Sequence, residues 1–231
     1  MMGFDGLYVV VMLIGLLLSL GAQAWVKGAV GRWSRVAVRS GLSGHGVAQL
    51  ILRGQGIYGV RIEPVRGWLS DHYDPWDRTL RLSEANYYGR SVAALGIAAH
   101  EVGHAIQDAE GYGPMRLRQR LVPAANLGTS LGIGLVFLGM ITGALGLTKL
   151  GVVLFAGFVF FTLVTLPVEI DASRRARRAL RGLGVLGQQE LAGVSTVLRA
   201  AAATYVAAAA TAVLQLAYYL LHALAWSGDD G

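Results

Sequence analysis

Residues 116–178 read RLRQRLVPAANLGTSLGIGLVFLGMITGALGLTKLGVVLFAGFVFFTLVTLPVEIDASRRARR. Two apolar runs lie almost back to back, with Arg116, Arg118 and Arg120 before them and Arg174, Arg175, Arg177 and Arg178 after them. About 18 or more apolar residues in a row can cross a bilayer as a helix. Residues 123–145 and 150–168 are therefore expected to form a membrane hairpin, with Gly146, Leu147, Thr148 and Lys149 as its tight connection. Working outward, residues 7–26 form a third apolar run with only Ser19 and Gln23 clearly polar. It is longer than the apolar core of a signal peptide, so it is expected to be a retained span. Residues 200–224 form the fourth, with Tyr218, Tyr219 and Trp226 near its end, as at a membrane interface.

Composition agrees. Of the 231 residues, 54% are hydrophobic and 15% charged, against about 25% charged in soluble domains. Mean hydropathy is +0.51. An ordinary soluble domain and a disordered chain are both excluded. The absence of Cys excludes a disulfide scaffold, thiol catalysis and thiolate metal sites. A net charge of +6 suggests nucleic acid at first sight, but the placement of the charge gives a better account. Of the 20 Lys and Arg residues, 13 lie between residues 27 and 120 and six between residues 169 and 199; Lys149 is the other. Four spans put both basic segments on one side, which by the positive-inside rule is the cytoplasm. Both chain ends, carrying only Asp5, Asp229 and Asp230, then face outward. The expectation is an integral protein of the inner or plasma membrane, with the lipid bilayer and no nucleic acid as partner.

The extramembrane part is expected to comprise residues 27–120 and cytoplasmic helices within 169–199. Residues 60–64, 69–73 and 79–82 read as short strands, with Asp74, Pro75, Trp76 and Asp77 as the turn between the last two. Ser91 is a candidate N-cap for a helix over about 91–110, stopped by Gly111. Inside that helix stands His100-Glu101-Val102-Gly103-His104. Residues four apart share a helix face, so both imidazoles can reach one cation. A motif of this kind arises by chance about 0.003 times in a chain of this composition. Neutral imidazole suits zinc, which in catalytic sites takes three protein ligands and leaves a place for water. A glutamate beside the first histidine is placed to accept that water's proton. A buried cluster of this kind without a cation is expensive to desolvate.

Residues alone leave the third ligand open. Glu169 stands where the third span ends, where a lone charge is disfavoured and a partner is expected. Asp171 is the rival, but it lies about 200° further round the helix, so both cannot easily face one metal. His222 falls on the opposite side of the membrane, and His45 lies in a Gly/Ser-rich stretch.

The residues His100 to Gln107, preceded by Ser70-Asp71-His72-Tyr73-Asp74-Pro75 and followed by Val168-Glu169-Ile170-Asp171-Ala172-Ser173-Arg174-Arg175-Ala176, resemble the YugP-like family of membrane zinc metallopeptidases. The layout is also similar to HtpX-type membrane peptidases, in which a membrane hairpin separates the zinc helix from the glutamate helix. The resemblance implies one Zn²⁺ per chain, His100, His104 and Glu169 as ligands, and Glu101 as general base. It implies a fold that is mainly α, with about four transmembrane helices and a small α+β zincin-like domain on the cytoplasmic side. One position departs from the HtpX pattern: the residue four after the ligand glutamate is Ser173, not Asp, so Asp171 or Ser173 is expected to orient a ligand.

The β edge before the zinc helix, Thr79, Leu80, Arg81 and Leu82, is expected to hold substrate by strand addition. Asp71, His72 and Tyr73 are candidates for stabilising the oxyanion or for fixing the fold. The leading function is a zinc-dependent endopeptidase acting on a peptide or membrane protein. The alternative is a non-catalytic scaffold stapled by zinc. Gly128, Gly132, Gly134, Gly139 and Gly143 also allow close packing with a second copy or another membrane protein.

Overall fold

A computed structural model of the chain describes residues 6–229. Asp5 and Asp230, and the side chains of Trp226 and Asp229, lie outside the described residues. The chain runs α1 (Gly6–Trp33), α2 (Gly44–Gly54), β1 (Arg61–Val65), β2 (His72–Asp74), β3 (Thr79–Ser83), α3 (Glu84–Tyr87), α4 (Val92–Ala109), α5 (Gly113–Leu127), a π-helical turn (Gly128–Gly132), α6 (Ile133–Thr142), α7 (Leu145–Leu183) and α8 (Gln188–Asp229). It is mostly helical, with one small sheet. Contacts divide it into two units.

The first unit holds residues 1–22, 116–167 and 204–231. Four helical stretches, 6–33, 113–142, 145–183 and 188–225, are long and apolar enough to cross a membrane. The most apolar window of α1 has a mean hydropathy of 2.2 with only 17% of it buried. Leu7, Leu13, Leu16, Leu17 and Leu20 all face outward there. Water penalises such a surface and hydrocarbon does not. The unit's own core gathers Val136, Val152, Phe155, Val159, Tyr218 and Tyr219. A Cβ on Gly151 would meet Val136 N at 2.6 Å, so α6 and α7 approach there backbone to backbone.

Helix boundaries differ from hydropathy in two places. The turn of the hairpin falls at Gly143, whose φ of 74° few side chains tolerate, and Gly146 to Lys149 already belong to α7. At the other end, α7 passes Pro167 without a break and continues through the polar residues to Leu183. The last span is likewise part of one helix, α8.

The second unit holds residues 23–115 and 168–203. Its centre is α4, buried along nearly its whole length. Ser91 caps it, accepting from Ala94 N, and Gly111 follows its end at φ 66°. Around α4 pack Val47, Ile51 and Leu52 of α2, Leu80 and Leu82 of β3, and Val168, Ala176 and Leu180 of α7. The sheet order is β1-β3-β2, with β1 parallel and β2 antiparallel to β3. Strand β3 is therefore the middle strand. This corrects the expectation that Thr79, Leu80, Arg81 and Leu82 form a sheet edge: the strand pairs with β1 along 79–83 and with β2 along 79–81. Thr79, Leu80 and Leu82 are also buried, while Arg81 pairs with Asp74 and Asp77. Sequence order hides this, because β1 crosses over to pair with β3 rather than with its neighbour β2.

A close backbone contact in this unit joins α4 to α7. A Cβ on Gly103 would lie 2.5 Å from Ala172 O. Substituting Gly103→Ala would force the two helices apart, at a cost of about 1–3 kcal/mol. The expected outcome is a lower melting temperature of the purified protein in detergent, measured by circular dichroism.

Candidate metal centre

Helix geometry places His100 and His104 one turn apart on the face of α4 that meets α7, with ring centroids 4.8 Å apart. Glu169 comes from α7 and is 2% exposed. Its Oε2 lies 3.2 Å from His100 Nε2 and 3.6 Å from His104 Nε2. One ligand atom from each of the three residues falls within 4.8 Å of the others, and the group could hold a metal ion.

The surroundings decide which ring atoms face inward. The Gln107 amide nitrogen lies 2.8 Å from Val168 O and 2.9 Å from Asp171 Oδ2, both of which only accept. Its Oε1 must then face His104 Nδ1, 3.0 Å away, and can only accept from it. His104 Nδ1 is therefore the donor to Gln107, and Nε2, whose lone pair a neutral ring offers to a cation, is the nitrogen turned toward the Glu169 carboxylate. Two lone pairs facing each other across 3.6 Å are stabilised by a cation between them. The far side of His100 is held by Ser173, whose Oγ lies 3.1 Å from Nδ1. Two imidazole nitrogens and a carboxylate, fixed from behind and nearly dry, fit zinc by donor type.

Gln107 was missed in reading the sequence. The only signal was a polar residue three after His104, and here it is completely buried. Asp171 and Ser173 are both engaged, by different routes. Ser173 touches His100 directly, whereas Asp171 reaches His104 through Gln107. Arg175 donates to Asp171 and to Glu110, and its guanidinium lies over the Tyr112 ring at 5.7 Å. Burial would raise the Asp171 carboxyl, but hydrogen bonds from Arg175 and Gln107 outweigh it and hold it below the usual range.

Glu101 is buried on the same helix. Burial pushes its carboxyl up to about 7. The nearby His100 ring opposes this, the negative charges of Glu169 and Asp71 add to it, and a hydrogen bond from the Tyr73 main chain opposes it. That bond places β2 beside Glu101. The remaining candidates make hydrogen bonds within the fold. Asp71 accepts from Ser83 N at 2.8 Å and Asn86 Nδ2 at 2.8 Å. The Tyr73 hydroxyl donates to Asp108 at 2.9 Å. His72 is exposed, donates from Nδ1 to Ser70 O at 2.8 Å, and is not brought into the metal-binding group. His45 packs its ring against Tyr87, and His222 stacks on Tyr218.

A largely helical chain with four helices able to span a membrane and a largely buried His-His-Glu group defines a membrane protein with a candidate metal centre. A family model described as "Putative neutral zinc metallopeptidase" matches residues 8–224, and the chain belongs to that family. It is 44% identical over 215 residues, 93% of this chain and 96% of the relative, to the "Putative membrane protease YugP" of Bacillus subtilis (strain 168). No solved structure matches the chain.

Two outcomes follow from this geometry. Gln107→Leu removes the acceptor that fixes His104, and zinc affinity measured by chelator competition is expected to fall about 10- to 100-fold. Glu101→Gln removes a buried carboxyl that ionises near 4.5 in the unfolded chain but only near 7 in the fold. Ionisation opposes folding as pH rises from 4.5 through 7, so the chelated variant is expected to melt higher than the parent at pH 8, by a few kcal/mol at most at about 1.4 kcal/mol per unit. At pH 4 the two are expected to melt alike.

Proposed function

We propose that the chain is an integral membrane endopeptidase with His100, His104 and Glu169 holding one zinc ion and Glu101 as general base. The observation that carries this reading is the convergence of His100 Nε2, His104 Nε2 and Glu169 Oε2, with both imidazoles held from behind. When bound, zinc would supply Lewis acidity to polarise a peptide carbonyl and to make water a better nucleophile. Glu101 takes a proton from the attacking water and gives it to the leaving nitrogen. Its buried setting and the neighbouring negative charges favour a carboxyl that can hold that proton between the two steps. Ser173, and Asp171 through Gln107, keep the two ligating rings in place.

The substrate is a peptide segment, including one borne by a membrane protein. The charge distribution supports a cytoplasmic site with both chain ends outside. A zinc-stapled scaffold calls for a closed site with four protein ligands, whereas the group has three among the described residues.

The test is elemental analysis with a protease assay on the purified full-length protein. About one zinc per chain is expected, and Glu101→Gln is expected to retain the metal while losing hydrolysis of a casein-like substrate by at least 100-fold. Zinc-free protein purified without chelator, or full activity in the variant, overturns the proposal.

A further inference from the structure

Helix α7 carries a second chemical feature beyond Glu169. Arg174, Arg177, Arg178 and Arg181 fall at i, i+3, i+4 and i+7, so they form one stripe. They alone line an open cavity of about 320 Å³. No carboxylate lies within 4.0 Å of any of the four among the described residues. Arg177 reaches only the main-chain oxygen of Ser173, at 3.4 Å, and Arg178 feels Asp171 at longer range. The contrast with Arg175 on the same helix is direct, since Arg175 is paired with both Asp171 and Glu110. Four guanidinium groups crowded into two turns repel one another, and an anion beside them lowers that energy.

Their position along the helix selects the anion. The stripe begins six residues past Val168, the last residue of the apolar run, and at about 1.5 Å per residue it starts roughly 9 Å along the axis. The polar layer of a leaflet is about 5–7 Å deep, and arginine side chains extend toward it. Guanidinium is also the side-chain group best matched to phosphate, through paired N–H donors.

We propose that the Arg174–Arg177–Arg178–Arg181 stripe is a docking surface for the phosphate headgroups of anionic phospholipids. It gathers such lipid around α7 beyond the apolar run that ends at Val168. The proposal concerns a surface separate from the metal-binding group and does not rest on the peptidase reading.

The test uses the full-length protein in phosphatidylcholine nanodiscs containing a minor fraction of spin-labelled phosphatidylglycerol, with spin-labelled phosphatidylcholine as reference. Both leaflets carry the probe, so the direction of insertion does not matter. Electron paramagnetic resonance reads the fraction of label immobilised by protein. The parent is expected to enrich the anionic label severalfold, less so at high salt. The variant R174Q/R177Q/R178Q/R181Q is expected to lose most of the enrichment, at up to roughly fivefold per arginine. If it does not fold, as judged by thermal melting, the pairs R174Q/R178Q and R177Q/R181Q are each expected to lose part of it. Equal immobilisation of the two labels by the parent overturns the proposal, as does unchanged enrichment in a folded variant. Arginine-dependent binding of a glutamate-rich peptide without lipid enrichment also overturns it, in favour of an acidic protein partner.

Discussion

The close approach of α4 to α7 is the constraint on which the rest of this structure depends. It occurs where Gly103 leaves room for the main chain of Ala172. With the two backbones in contact, side chains on either side of the crossing can meet: His100 with Ser173 and Glu169, and His104 with Glu169. A larger residue at position 103 would move Glu169 away from both rings. The same approach excludes water, and exclusion of water gives the electrostatics its force. A carboxylate that is 2% exposed cannot rely on hydration and must find its partner in the protein or in a bound cation.

That requirement explains the shell behind the ligands. Each imidazole has two nitrogens, and only one can face Glu169. Ser173 fixes the choice for His100. For His104 the choice passes through an amide whose own orientation is set by two acceptors, Val168 O and Asp171. Asp171 is itself held by Arg175, and Arg175 by Glu110 at the far end of α4. The chain of hydrogen bonds thus leaves α4, crosses to α7 and returns to the end of α4. The conformation of a buried ring is referred to an ion pair at the surface. A fully satisfied buried polar network of this kind specifies one arrangement more sharply than apolar packing does.

How much of this was legible in the sequence depends on how local each feature is. The spans could be read because hydropathy sums over adjacent residues. Their ends could not, because a helix stops at a residue with the right φ, such as Gly143, and not where polarity begins. The His100/His104 pair was legible from spacing alone, since i and i+4 share a face in any helix. Glu169 lies 69 residues from His100. It was suggested by the cost of a charge at the end of a span, and its assignment as a ligand came from a family resemblance. Gln107 was invisible because its role is defined by Val168 and Asp171, which no local pattern connects to it. The strand order was misread for the same reason. Strands β2 and β3 form a legible hairpin, but nothing near β1 shows that it pairs on the other side of β3.

Helix α7 shows how one regular element can keep several tasks apart. Beyond residue 168 the positions facing α4 are Glu169, Ala172, Ser173, Ala176 and Leu180, all buried. They recur at the three- and four-residue steps of a helix face. Asp171 and Arg175 stand on the flank, partly buried, where they can reach Gln107 and Glu110. Arg174, Arg177, Arg178 and Arg181 form the outer stripe. The angle around the axis thus sets which residues can touch a metal, which can brace the ligands and which meet the surroundings. Because α7 is an unbroken helix over residues 168–183, these positions are fixed relative to one another by helical rise and rotation alone.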